Sequence, residues 1–95
     1  MDGRKKLPII TILMIKDEVF SKVQEVFRKT FDKPDLILTD SISPKDIKKW
    51  DSLNHVILIS EIEKEFNIRF DLQDMLESRN VGTICKTILR LKNIE

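Results

Sequence analysis

The side chain with the clearest chemical potential is the hydroxyl of Ser52, which follows Asp51 and precedes Leu53. An amphipathic run, SLNHVILISEIEKEF, begins at this serine and predicts a helix over residues 52–66. The first turn of a helix has backbone N–H groups without partners inside the helix, and they lie at the positive end of the helix dipole. A phosphate at Ser52 would therefore be stabilised.

Other reactive side chains are few, since the chain has one histidine, His55, and one cysteine, Cys85. These are too few for an ordinary zinc site, and a single cysteine cannot form a disulfide within the chain. The default setting is therefore reducing and cytoplasmic. The apolar pattern VGTICKTILRL favours a buried structural thiol, and the helical phase of His55 favours a core or pocket-mouth histidine over a general base. Neither a metal site nor a catalytic residue is expected.

The spacing of apolar residues predicts four helices and no strand after residue 15. The first begins at about Lys16, with Asp17 and Glu18 in its first turn, and the others cover residues 52–66, 72–78 and 81–92. Proline and serine residues predict a long loop over residues 35–50. The expected fold is all-α: a four-helix bundle with three longer helices, a short third helix and a long loop between helices 1 and 2.

The first fifteen residues differ from the rest of the chain. Arg4-Lys5-Lys6 and the apolar run from Leu7 to Ile15 look like a secretory signal, but no small-residue cleavage site follows. Nine apolar residues are also too few to cross a bilayer, so stable membrane insertion is not expected. Met14 is an alternative start. Residues 1–15 are therefore predicted to be an extension outside the fold, with the domain over residues 16–95.

Charge is distributed unevenly along the chain, whose formal net charge is +1. The segment 51–77 holds seven acidic residues against Lys64 and Arg69, which makes it net −5. A nucleic-acid binder needs its basic groups on one continuous face, and this acidic segment interrupts them. At 95 residues the core is thin, which weighs against a self-contained enzyme. No nucleic-acid partner is expected.

The second predicted helix has two apolar faces when its residues are placed about 100° apart. One is the expected core stripe: His55, Leu58, Ile59, Ile62 and Phe66. The other adjoins Ser52 and carries Leu53, Val56 and Ile57. This second face is either covered by another element or is a docking surface for a partner.

The order of these elements, with Asp51-Ser52-Leu53 opening the second helix, resembles that of an acyl carrier protein of the stand-alone type. The similarity covers about Lys16 to Lys92, and its most specific part is WDSLNHVILISEIEKEFNIRF. The resemblance implies a carrier without catalytic activity. It implies that a phosphopantetheinyl transferase attaches 4'-phosphopantetheine from coenzyme A to Ser52, and that the carrier then presents thioester-bound acyl groups to acyl-loading and acyl-transferring enzymes.

The resemblance also implies roles for the neighbours of Ser52. Asp51 and Leu53 flank the attachment point, and Val56 and Ile57 extend the docking surface. The carboxylates of Glu61 and Glu63 would meet basic surfaces on partner enzymes. Phe70, Met75 and Leu76 would either enclose a short acyl chain or simply pack in the core.

Two positions depart from the pattern of carriers in fatty acid synthesis, which place acidic side chains where this chain has Asn54 and Ile57. The resemblance is closer to carriers of specialised pathways, such as polyketide, nonribosomal peptide, lipid or cell-surface assembly. A monomer is expected, and the run from Leu7 to Ile15 is the one feature that could change this.

Two alternative functions belong to other classes. In a helical protein–protein adaptor, Leu53, Val56 and Ile57 would bind a partner helix, and Ser52 would serve only as an N-cap. In a small nucleic-acid binder, Arg4-Lys5-Lys6 and the closing helix would contact phosphates.

Overall fold

The computed structural model describes residues 7–94, which form four helices and no strand. Helix α1 covers Ile9–Thr30, α2 Ser52–Phe66, α3 Leu72–Glu77 and α4 Val81–Leu91. The predicted all-α bundle with a short third helix and a long loop after the first is confirmed, and α2 has the predicted bounds. In the described range, none of the helices has the length and hydropathy required to cross a membrane.

Helix α1 begins at Ile9, so the expected start near Lys16 is wrong. Pro8 directly precedes the helix with φ −54°, and no glycine or proline interrupts the apolar run that follows. Asp17 and Glu18 therefore lie well inside α1 and not in its first turn. Arg4-Lys5-Lys6 lies outside the described residues, and the proposed domain boundary at residue 16 stays a prediction.

The core lies where α1, α2 and α4 meet the long loop, and its centre is aromatic. The rings of Phe27 and Trp50 meet edge to face with their centroids 5.1 Å apart, and Phe31 lies 6.2 Å from Trp50. Such pairs contribute roughly 0.5–1.5 kcal/mol beyond the burial of their area. Trp50, two residues before Ser52, is thereby fixed against α1.

The long loop is attached to the start of α4 by two backbone hydrogen bonds. The N–H of Val81 donates to the carbonyl of Ile42, and the N–H of Gly82 donates to the carbonyl of Asp40, both at 2.9 Å. A Cβ at position 82 would lie only 3.2 Å from that Asp40 oxygen, so the close approach favours glycine. Ile47 is buried further along the loop. These anchors fix the loop before it enters α2.

The residues that follow α4 are held against the helix and the core. Asn93 turns the backbone with φ 59°, and the N–H of Ile94 donates to the carbonyl of Leu89 at 2.9 Å. Ile94 packs against the core, which holds the residues after α4 in place. Leu89 is buried, whereas Leu91 in the last turn of α4 is only half-buried.

Candidate functional site

Ser52 is the first residue of α2, and Asp51 is the residue that caps the helix. The Asp51 Oδ1 accepts a hydrogen bond from the Asn54 N–H at 2.8 Å, and its carbonyl accepts from the His55 N–H at 2.8 Å. Asn54 Nδ2 also donates to the carbonyl of Lys49 at 2.7 Å, which ties the loop to the helix. The adaptor alternative gave the N-cap to Ser52, and this position belongs to Asp51 instead.

The Ser52 hydroxyl is exposed and has no hydrogen-bond partner among residues 7–94. No acceptor in this range binds the backbone N–H of Ser52 or Leu53 either, as expected in the first turn of a helix. A negative charge held on Ser52 Oγ would lie beside these groups and the positive end of the α2 dipole. The arrangement suits a phosphodiester, whereas no side chain is hydrogen-bonded to Oγ as a base would be.

His55 of α2 is hydrogen-bonded through both nitrogens of its ring, one to the end of the loop and the other to α3. Trp50 Nε1 donates to His55 Nδ1 at 2.9 Å, and His55 Nε2 lies 2.9 Å from the Met75 carbonyl oxygen. Because an indole N–H can only donate, Nδ1 must be the acceptor, and the proton of the neutral ring is on Nε2. Both nitrogens are therefore engaged, which agrees with the predicted pocket-mouth histidine.

A cleft of about 370 Å³ opens beside Ser52 between the end of the loop, α2 and α3. Its walls are Pro44, Trp50, Asp51, Ser52, His55, Val56, Met75, Leu76 and Arg79. Met75 and Leu76 line the cleft as the acyl-enclosing interpretation requires, but Phe70 does not and packs against the core instead. Because the polar atoms of Trp50 and His55 are already paired, they offer mainly ring surface to a ligand.

The predicted docking surface is not covered by another described element. Leu53 is 71%, Val56 51% and Ile57 44% exposed. On α3, Leu72 and Leu76 are also exposed, and Leu76 shares the cleft with Val56. The contribution of α3 was missed because its six residues are too few to show a clear helical periodicity.

The two glutamates predicted to meet partners have different surroundings. Glu61 is exposed, and its carboxylate lies 3.5 Å from Lys64 Nζ. Glu63 Oε2 accepts a hydrogen bond from the Phe70 N–H at 2.7 Å, so this side chain supports the turn after α2. A carboxylate that accepts from a backbone N–H makes a strong hydrogen bond. Glu61 is therefore the freer of the two for contact with a partner.

Exposed basic side chains occur in the loop that leads to Ser52 and at the cleft beside it. Lys45, Lys48 and Lys49 are exposed in the loop before Asp51, and Arg79 lines the cleft. None of these cations forms an ion pair with a residue in the described range. Lys48 and Lys49 stand four and three residues before Ser52 in the sequence.

Cys85 is half-buried and packs against the core. Burial, and secondarily the negative charge of Asp40, raises the pKa of its thiol to about 12. The group therefore stays protonated near neutral pH, as expected for a structural thiol. No cluster of three or more potential metal ligands occurs in the part of the chain that the structure describes.

Comparisons with known proteins match most of the chain. A family model described as "Phosphopantetheine attachment site" matches residues 21–88, a range that includes Ser52. The fold is similar to the solution structure of a holo acyl carrier protein from Geobacter metallireducens, with a TM-score of 0.74 and 31% identity. The match covers 79% of this chain and 86% of the other. No curated protein matches the sequence.

Proposed function

The chain belongs to the phosphopantetheine attachment site family, and on this premise we propose that Ser52 is the residue that carries the 4'-phosphopantetheine. The protein is a carrier of the acyl carrier type, with the prosthetic group attached covalently, and it is not a catalyst. The observation that carries the assignment to Ser52 is its exposed, unpaired hydroxyl on the first residue of α2.

Attachment breaks a phosphoanhydride bond of coenzyme A and forms a phosphate ester bond to the serine. Ser52 Oγ forms a bond to the phosphorus of coenzyme A that bears the pantetheine, and the bond from that phosphorus to the adenosine bisphosphate breaks. The hydroxyl proton leaves to a base of the transferase. This chain contributes an accessible hydroxyl and the first-turn N–H groups of α2, which stabilise the negative phosphodiester. The bound arm supplies a thiol on which acyl groups are held as thioesters.

The cleft beside Ser52 is the proposed binding site for the arm or for a short acyl group. Its lining by Val56, Met75 and Leu76 provides apolar contact, while the paired nitrogens of His55 leave no free polar group of that ring to be buried. A volume of about 370 Å³ lies at the lower end of the range of small-molecule sites, which favours a short cargo.

The protein interacts with a phosphopantetheinyl transferase and with acyl-handling enzymes. The proposed contact surface has Leu53, Val56 and Ile57 at its centre and Glu61 and Glu63 on one side, and the exposed lysines of the loop lie on the other. Two features support partners from a specialised pathway: the cations near Ser52 in the sequence, and Asn54 at a position where fatty acid carriers have an acidic residue. Polyketide, nonribosomal peptide, lipid or cell-surface assembly would provide such partners. The proposed state is a cytoplasmic monomer.

Incubation with coenzyme A and a broad-specificity phosphopantetheinyl transferase tests the proposal. Intact-mass measurement should show the wild-type chain gaining one phosphopantetheinyl group. Ser52→Ala should gain none, while Ser41→Ala, which changes another exposed serine, should react as the wild type does. An equal gain by Ser52→Ala would overturn the assignment.

A further inference from the structure

The start of α1 carries a group of exposed apolar side chains that the carrier function does not use. Ile9 is 77%, Ile10 63%, Leu13 52% and Met14 66% exposed, and we call these four residues the α1 apolar end. Leu7, just before the helix, is 40% exposed as well. The only other group of exposed large apolar side chains among residues 7–94 lies around Ser52 on α2 and α3.

Three of the four residues of the α1 apolar end do not continue the face of α1 that packs in the core, while Ile9 is in line with the buried Phe27 but is itself exposed. At about 100° per residue, Ile10, Leu13 and Met14 fall on the sector that further along holds Asp17 and Ser21. Both of these residues are exposed and polar. The buried residues Val19 and Val23 lie on a different side of the helix. The α1 apolar end is therefore a separate surface, and its exposure needs a partner of its own.

The charge of this part of the sequence indicates which partner fits. Residues 4–16 contain four basic residues, Arg4, Lys5, Lys6 and Lys16, and no acidic residue. The first turn of α1 has no acidic side chain, and Pro8 provides no side-chain cap for its N–H groups. Exposed aliphatic side chains in a basic stretch of sequence match the boundary between anionic headgroups and acyl chains.

A second copy of the chain fits this surface less well. It would bring together two segments that each carry four basic residues and no acidic residue within residues 4–16, and these like charges repel. The segment is also too short to cross a bilayer, because residues 9–15 span only about 10 Å against a hydrocarbon core of about 30 Å. A segment of this kind lies in the membrane surface.

We infer that the α1 apolar end attaches this carrier reversibly to an anionic lipid surface. The attachment is independent of Ser52, so apo and holo chains bind equally. Apolar burial holds the helix in the interface, and the basic residues attract it to negative headgroups. The attachment therefore weakens as the salt concentration rises.

Co-sedimentation of the full chain with lipid vesicles tests this inference. Vesicles of equal phosphatidylcholine and phosphatidylglycerol should retain the wild-type protein, and vesicles of phosphatidylcholine alone should retain at least about tenfold less. The double variant Ile10→Asp, Leu13→Asp should lose at least about tenfold in binding to the mixed vesicles. Ile37→Asp, which changes a side chain that is 72% exposed elsewhere, is the matched control and should bind as the wild type does.

Two further measurements distinguish a loss of lipid binding from a loss of the fold and from the loss of a dimer. The double variant should melt at the wild-type temperature and accept phosphopantetheine at the wild-type rate, since its changes are exposed and far from Ser52 in sequence. Equal retention of the double variant and the wild type on mixed vesicles would overturn the inference. So would a concentration-dependent dimer in analytical ultracentrifugation that the double variant abolishes, because a second copy would then cover this surface.

Discussion

Trp50 and His55 are joined by a hydrogen bond and by stacking of their rings. Trp50 Nε1 donates to His55 Nδ1 at 2.9 Å, and the ring centroids are 6.0 Å apart with an interplanar angle of 23°. Trp50 also meets Phe27 of α1, and His55 reaches the Met75 carbonyl at the fourth residue of α3. This pair therefore links α1, the end of the loop, α2 and α3 around the cleft beside Ser52.

Replacement of His55 by phenylalanine should destabilise the fold. The indole N–H of Trp50, a residue only 2% exposed, would lose its acceptor, which costs about 1–3 kcal/mol in the free energy of unfolding. Urea denaturation followed by tryptophan fluorescence measures this loss. His55→Gln offers a side-chain oxygen to the indole and should recover part of it. Identical unfolding midpoints for His55→Phe and the wild type would show that the hydrogen bond contributes nothing.

Two substitutions of Asp51 should separate the effect of its N-cap hydrogen bond on stability from the effect of its negative charge. Asp51→Ala removes the acceptor for the Asn54 N–H and should lower the free energy of unfolding by about 0.5–2 kcal/mol. Asp51→Asn keeps an acceptor and should stay close to the wild type in stability. If the carboxylate also contacts the transferase, both variants should be modified more slowly. Equal stability of the alanine variant and the wild type would argue against the observed cap.

Substitution by alanine should destabilise the protein much more at Glu63 than at Glu61. Glu63→Ala removes the acceptor of the Phe70 N–H and should cost about 1–3 kcal/mol of stability, whereas Glu61→Ala should stay within about 0.5 kcal/mol. Thermal unfolding measures both. Glu61→Lys should reduce kcat/KM with a partner that presents a basic surface, and the reduction should shrink at high salt. The reverse order of stabilities would contradict the described contacts.

The Cys85 thiol should react slowly in the folded chain. Burial raises its pKa from an ordinary 9.0 to about 12, so at pH 8 the folded protein should react with Ellman's reagent more than about a hundredfold slower than the urea-unfolded chain. The holo protein should gain one fast thiol, that of the arm, and Cys85→Ser should keep it. A fast thiol in the folded apo chain would contradict the burial of Cys85.

The raised pKa of Cys85 also predicts the direction in which the free energy of unfolding changes with pH. The folded state keeps the Cys85 proton between about pH 9 and 12, while the unfolded state loses it. Because the unfolded state then binds fewer protons, stability should fall with rising pH across this window. The fall should be smaller in Cys85→Ser, which has no thiol to ionise.

The sequence was sufficient to predict α2 and its start, because Asp51 and the amphipathic run beginning at Ser52 both indicate a helix that begins at residue 52. It failed at the start of α1, where no acidic or hydroxyl side chain marks the first turn and only Pro8 precedes the helix. Apolar periodicity also could not show that the run after Pro8 leaves the core, since exposure depends on which neighbours a helix meets.

The candidate site was predictable in its centre and not in its surroundings. Leu53, Val56 and Ile57 followed from the phase of α2, and their exposure agrees with the proposed docking role. The hydrogen bond from Phe70 to Glu63 could not be predicted, because it depends on how the chain turns after α2. The two bonds of His55 likewise join residues five and twenty positions apart, a relationship that only the fold creates.

The most direct test of the central claim is the position of the phosphopantetheine in the modified chain. Trypsin cleaves after Lys49 and Lys64, which releases residues 50–64 with both Ser52 and Ser60 in one peptide. Fragmentation of this peptide by mass spectrometry should place the added group on Ser52. Its presence on Ser60, or an unmodified 50–64 peptide in a chain that has gained the group elsewhere, would contradict the account.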